Sequence, residues 1–177
     1  MNSLMSAFNR STGIVAAVLA VASLLWGFLF SARATGERRR PNWWLDLHNW
    51  LGGLTLIFTG VHIVVALLQS SAGIGLTQVL IPGTASGQSW AITWGVLATY
   101  LFAAAVFTTW PKRLGNRKLW RTIHLGSALG TGMALLHSYQ SGSEASNPLF
   151  QIGLTITVGV SVFGLAIRLA GLPARLR

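Results

Sequence analysis

The sequence predicts an all-α integral membrane protein: a five-helix transmembrane bundle with its N-terminus outside and its C-terminus in the cytoplasm. Three observations predict it. Of 177 residues, 52% are hydrophobic and only 9% are charged, where an ordinary soluble domain carries about 25% charged residues. Five segments each offer the roughly 20 mostly apolar residues that a helix needs to cross a bilayer. The basic residues gather in alternate loops. This composition excludes a disordered chain and argues against a soluble globular domain. The absence of cysteine removes disulfides, thiolate metal sites, iron–sulfur clusters and cysteine nucleophiles.

The predicted spans are about Gly13–Ala32, Trp44–Gln69, Trp90–Trp110, Leu119–Tyr139 and Leu149–Ala170. None carries an acidic residue in its middle. Glu37, Asp46 and Glu144 lie in loops or at helix edges, and Asp46 suits the positive N-terminal end of the second helix. Connections are short, so residues 1–177 form a single transmembrane domain with no room for a separate soluble one. The second loop, Ser70–Ser89, lies outside, contains Gly73, Gly75, Pro82, Gly83 and Gly87 and reads as an ordinary connection. The first span, with Arg10 before it and Ala32-Arg33-Ala34 after it, has the outline of a cleaved signal peptide. Cleavage would leave Arg33, Arg38, Arg39 and Arg40 outside, against the positive-inside rule, so the segment is read as a span.

Placing the charges fixes the orientation. The first loop holds Arg33, Arg38, Arg39 and Arg40; the third holds Lys112, Arg113, Arg117, Lys118 and Arg121; Arg168, Arg175 and Arg177 follow the last span. These share one side, and Arg10 alone lies on the other. The net charge of +10 is therefore a topology signal and not a nucleic-acid surface. Trp43, Trp44, Trp110 and Trp120 mark the inner interface, and Trp90 and Trp94 the outer one.

An ionisable group inside a span is a functional candidate. All four histidines lie in spans two and four: His48 and His62, fourteen residues apart, and His124 and His137, thirteen apart. Each separation is roughly 20 Å along a helix axis. Spans two and four run in the same direction, so His48 and His124 share the cytoplasmic side and His62 and His137 the outer side. A single intramembrane histidine more often bridges helices; two matched pairs are harder to explain that way. The axial gap keeps the four imidazoles off one ion, and two imidazoles alone make a poor zinc site. Two imidazoles facing each other across a flat apolar disc satisfy a haem iron fully and leave it no open position, which suits electron transfer. Gly52, Gly53 and Gly60 in span two, and Gly126, Gly130 and Gly132 in span four, admit close approach of a ring or of another helix.

The spacing also poses a geometric question. Fourteen residues bring an ideal helix back to within about 40° of the same face, and thirteen leave it about 140° away. Span four is therefore either kinked or overwound, or it presents its two histidines on different flanks.

These histidine spacings, with Arg113-Leu114-Gly115, Trp120 and His124 entering the second histidine helix, carry a family resemblance over about Trp43–Tyr139. The chain resembles the ferric reductase-like transmembrane domain, the haem-bearing membrane part of ferric reductases and NADPH oxidases. Its bacterial relatives include the haem membrane subunit of the periplasmic methionine-sulfoxide reductase system. The resemblance implies two b-type haems, the inner one on His48 and His124 and the outer one on His62 and His137, with electrons passing outward. Many members have six helices, where five are counted here. Larger members continue into a cytoplasmic flavin and nicotinamide domain. This sequence reaches Arg177 without one and has no glycine-rich nucleotide loop.

The expected protein is thus the membrane subunit of an oxidoreductase, multi-pass in the bacterial cytoplasmic membrane. Its electrons would come from a separate cytoplasmic flavin reductase or from membrane quinol, with FAD or FMN held by a partner or at a weak site. The outer acceptor is left open. Arg38, Arg39, Arg40, Arg113, Arg117 and Arg121 suit either anionic lipid or haem propionates. Arg121, three residues before His124, is the propionate candidate. Two other classes compete: a channel or transporter, disfavoured by the lack of intramembrane acids, and a non-catalytic assembly subunit whose histidines only bridge helices.

Overall fold

The computed structural model describes residues 2–32, 42–69, 73–86, 89–109, 116–141 and 146–170. Among them are six helices and no strand: α1 (Asn2–Ala32), α2 (Trp43–Leu68), α3 (Leu76–Leu80), α4 (Ser89–Thr109), α5 (Arg117–Ser141) and α6 (Pro148–Ala170). Arg33, Glu37, Arg38, Arg39, Arg40, Gly87, Trp110, Lys112, Arg113, Leu114, Gly115, Glu144, Arg175 and Arg177 lie outside the described residues.

The class is all-α, and the elements differ from expectation in three places. Helix α1 begins at Asn2, well upstream of Gly13. Asn9, Arg10 and Ser11 interrupt the apolar run but not the backbone bonding, and Thr12 returns its hydroxyl to the carbonyls of Phe8 (2.8 Å) and Asn9 (3.0 Å). The connection between α2 and α4 contains the one-turn helix α3 and is fastened to α4 where Tyr100 donates to the Leu80 carbonyl and Gly83 N–H donates to Thr93 Oγ1 at 2.9 Å. The third difference concerns the count of spans. Among the described residues, four helices are long and apolar enough to cross a membrane: α1, α2, α4 and α6. At 25 residues α5 is long enough, but Arg117, Lys118, Arg121, two histidines and five serine or threonine side chains dilute its apolar content.

The helices assemble as two antiparallel hairpins, α1 with α2 and α4 with α5, and α6 lies along α1. Small residues let the backbones approach, as dispersion packing between helices in lipid requires. Ala16, Ala20 and Val21 of α1 are buried, as are Ala91, Val96, Ala98, Phe102 and Ala105 of α4. Ala20, Ala98 and Phe102 meet at the centre, with Leu56, Met133 and Ala134 packed around them. Gly130 of α5 receives Leu101 and Phe102 of α4, and Gly164 of α6 receives Leu25 and Phe28 of α1. Large apolar side chains face outward along α6, including Leu149, Ile152, Ile156, Val162 and Phe163. Hydroxyls satisfy themselves on the preceding turn, as Thr55 does on Leu51 O and Thr131 on Ser127 O, so they add no unpaired polar group.

Candidate functional site

Helices α2 and α5 run in parallel and bring the histidines together in pairs. The rings of His48 and His124 have centroids 5.7 Å apart and an interplanar angle of 70°. Those of His62 and His137 are 6.1 Å apart at 74°. All four side chains are half-buried. Among the described residues, no three of His, Cys, Asp and Glu gather to hold a metal ion; the chemistry at each level rests on two imidazoles.

Three of the four rings are fixed from behind by a carbonyl of the antiparallel neighbour. His62 Nδ1 lies 2.9 Å from Asn9 O, His48 Nδ1 3.1 Å from Ser23 O, and His137 Nδ1 2.8 Å from Ala91 O. A carbonyl can only accept, so Nδ1 carries the proton and Nε2 keeps its lone pair. This is the arrangement in which imidazoles commonly meet a metal: the far nitrogen is tied to a carbonyl, and that bond sets tautomer, ring orientation and basicity. Ser141 Oγ is a second neighbour of His137 Nδ1, at 3.1 Å. His124 differs. Its Nδ1 is buried without a hydrogen-bond partner, and its ring stacks on Trp120, with centroids 5.1 Å apart and planes 18° apart.

The spacing question of α5 has its answer here. His48 and His62, fourteen residues apart, both reach α1. Of the α5 pair only His137 bonds to α4, although the helix is unbroken from Arg117 to Ser141. A thirteen-residue step turns His124 about 140° from His137, so the two histidines use different flanks.

The glycines that the sequence suggested divide into two groups. Gly126 and Gly130 pack on Leu101 and Phe102, while a Cβ at Gly53, Gly60 or Gly132 would meet nothing within 4 Å. Gly52 has only Ser23 Oγ nearby, at 3.8 Å. The glycines that touch imidazoles were not among them: Gly13 against His62, Gly27 against His48 and Gly95 against His137. One signal pointed to them, because Gly13 and Gly27 repeat the fourteen-residue step of His48 and His62.

At the His48 end, Trp26, Trp43 and Trp44 form a cluster with ring centroids 4.7 to 5.9 Å apart, closed by Trp26 Nε1–H donating to Trp44 O at 2.8 Å. Arg121 is exposed on α5, three residues before His124, and Arg117 is exposed as well. Asp46 stands exposed in the first turn of α2. Arg168 of α6, expected only as a topology charge, lies over the Phe28 ring at 5.5 Å and donates to Ser31 Oγ at 3.4 Å.

A family model described as ferric reductase like transmembrane component matches residues 12–135. The match runs from α1 into α5, takes in His48, His62 and His124, and ends before His137. Among curated proteins, none matches the chain.

Proposed function

From the premise that the chain belongs to the ferric reductase-like transmembrane family, an integral membrane family of transmembrane electron transfer, we propose that it is a two-haem b-type electron-transfer subunit. His48 and His124 would hold an inner haem, and His62 and His137 an outer one. When bound, each haem supplies a one-electron centre.

The observation that carries the reading is the pair of facing imidazole couples, with Nδ1 protons engaged behind three of the four rings. The residues fit such a group. Metal–imidazole bonds of about 2 Å hold two rings on one ion with their centroids roughly 6 Å apart, as both couples are. Two imidazoles at each level would hold such a group, which would then supply electron transfer rather than oxygen activation. The carbonyls of Asn9, Ser23 and Ala91 hold the Nδ1 protons, which leaves the lone pair of each neutral imidazole on Nε2.

In this reading α5 is the fifth span, held in the bilayer by its histidine couples and by α4. The basic side faces the cytoplasm, and electrons enter there and leave at the outer couple. The donor is a separate flavin reductase or membrane quinol, and Arg121 pairs with an inner-haem propionate. The localisation proposed is a bacterial cytoplasmic membrane.

Purification of the full chain and measurement of haem per protein tests this. Two low-spin b-type haems per chain are expected. A folded chain that takes up no haem when haem is supplied overturns the reading.

A further inference from the structure

One register relation recurs at three of the four histidines. The carbonyl that accepts from Nδ1 belongs in each case to the residue four before the glycine that the ring touches: Asn9 before Gly13, Ser23 before Gly27, Ala91 before Gly95. A helical carbonyl is bonded to the N–H four residues on and is normally screened by the side chain there. With no Cβ at that residue, a ring from the next helix lies flat on the backbone and reaches the carbonyl oxygen. The fit is close. A Cβ at Gly13 would stand 3.0 Å from His62 Cε1 and 3.1 Å from its Nδ1; one at Gly27 would stand 3.1 Å from His48 Cε1; one at Gly95 would stand 3.0 Å from His137 Nδ1.

The fourth position lacks the device. Fourteen residues after Gly95, where Gly27 follows Gly13, stands Thr109. Its hydroxyl donates to the Ala105 carbonyl at 2.7 Å and accepts from Trp120 Nε1 at 3.2 Å. At this position a threonine side chain stands over the carbonyl that the register would assign to His124, where the other three positions have no Cβ, and His124 Nδ1 is left without a partner.

We propose that Gly13, Gly27 and Gly95 are positioning residues, backbone seats that set the tautomer and aim of His62, His48 and His137, and that His124 is the one unseated histidine. The tautomer part stands on the geometry alone; the consequence for haem rests on the function proposed above. Two seated ligands serve the outer couple and one serves the inner. The inner couple is then the one that releases a ligand first.

The test uses the full chain in detergent with ¹⁵N-labelled histidine. Without haem, three imidazoles are expected in the Nδ1–H tautomer. Nε2–H tautomers at His48, His62 and His137 overturn the proposal with no variant made. Gly13→Ala, Gly27→Ala and Gly95→Ala are then compared with Gly159→Ala on α6, where a Cβ meets nothing within 4 Å. Each seat variant is expected to shift the nitrogen signals of its own histidine. Each is also expected to weaken haem retention at its own couple by about 10–100-fold, the usual effect of disturbing a partner behind a metal ligand. Gly159→Ala is expected to leave both unchanged. Seat variants that behave as Gly159→Ala does overturn the proposal. A chain that binds no haem yet shows the three tautomers fails the functional reading and keeps the seats.

Discussion

The ring of His62 faces that of His137 with centroids 6.1 Å apart and planes 74° apart. Near-perpendicular axial imidazoles give low-spin ferric haem a strongly anisotropic electron-spin signal, and both couples share this geometry. Both haem signals are expected in that class. His62→Ala is expected to lower haem per chain from two to one and to leave the inner signal unchanged. Low-temperature spectra with a haem assay check both outcomes; retention of both haems in the variant contradicts the ligand assignment.

Trp26 joins α1 to α2 through its indole bond to Trp44 O. Trp26→Phe keeps most of the ring contact and removes the donor. A loss of about 1 kcal/mol is expected, the net worth of one such hydrogen bond. Thermal unfolding in detergent, followed by circular dichroism, measures it.

Gly130 lies tight against α4: a Cβ there would be 3.1 Å from Leu101 Cβ and 3.5 Å from Ala98 O. Gly130→Leu is expected to destabilise the hairpin by about 1–3 kcal/mol through overpacking. Gly159→Leu, in open space on α6, is the matched comparison and should melt as the parent does.

Arg121 carries a fixed positive charge near His124 in sequence, and a cation near a haem favours the reduced state by offsetting the added electron. Arg121→Gln is accordingly expected to lower the inner midpoint potential and leave the outer one in place. Potentiometric titration separates the two. An unchanged inner potential would leave Arg121 as a lipid and topology residue.

The chain has no cysteine, so single cysteines report topology without background. With the proposed orientation, Thr84→Cys in the outer loop between α2 and α4 reacts with a membrane-impermeant maleimide in intact cells. Asn116→Cys before α5 reacts only after permeabilisation. The reverse pattern inverts the orientation.

How much of this is legible in the sequence depends on the range of the interaction concerned. Helices α1, α2, α4 and α6 announce themselves because each apolar run is local and unbroken. The start of α1 does not, since hydropathy registers Asn9 and Arg10 as polar while the backbone continues its bonds through them. Helix α5 is visible mainly through what it carries, two histidines thirteen residues apart against fourteen in α2. The pairing of rings follows from parity, which alternation of charged loops supplies. The seats are hidden because Gly13, Gly27 and Gly95 have no chemistry of their own; their role lies in cross-helix register. The glycines of α2 and α5 drew attention by standing between histidines, whereas those that touch imidazoles stand on the opposite helices.

The order of seats along the chain bears on how the molecule is made. Asn9 and Ser23 precede His48 and His62, and Ala91 precedes His137. In a polypeptide synthesised from its N-terminus, each accepting carbonyl emerges before the imidazole it will receive. The hairpin of α1 and α2 contains all that is needed to orient two imidazoles before α4 and α5 have left the ribosome. The first helix is thereby a jig for the second, and half of each imidazole couple is aligned before its other half has been translated.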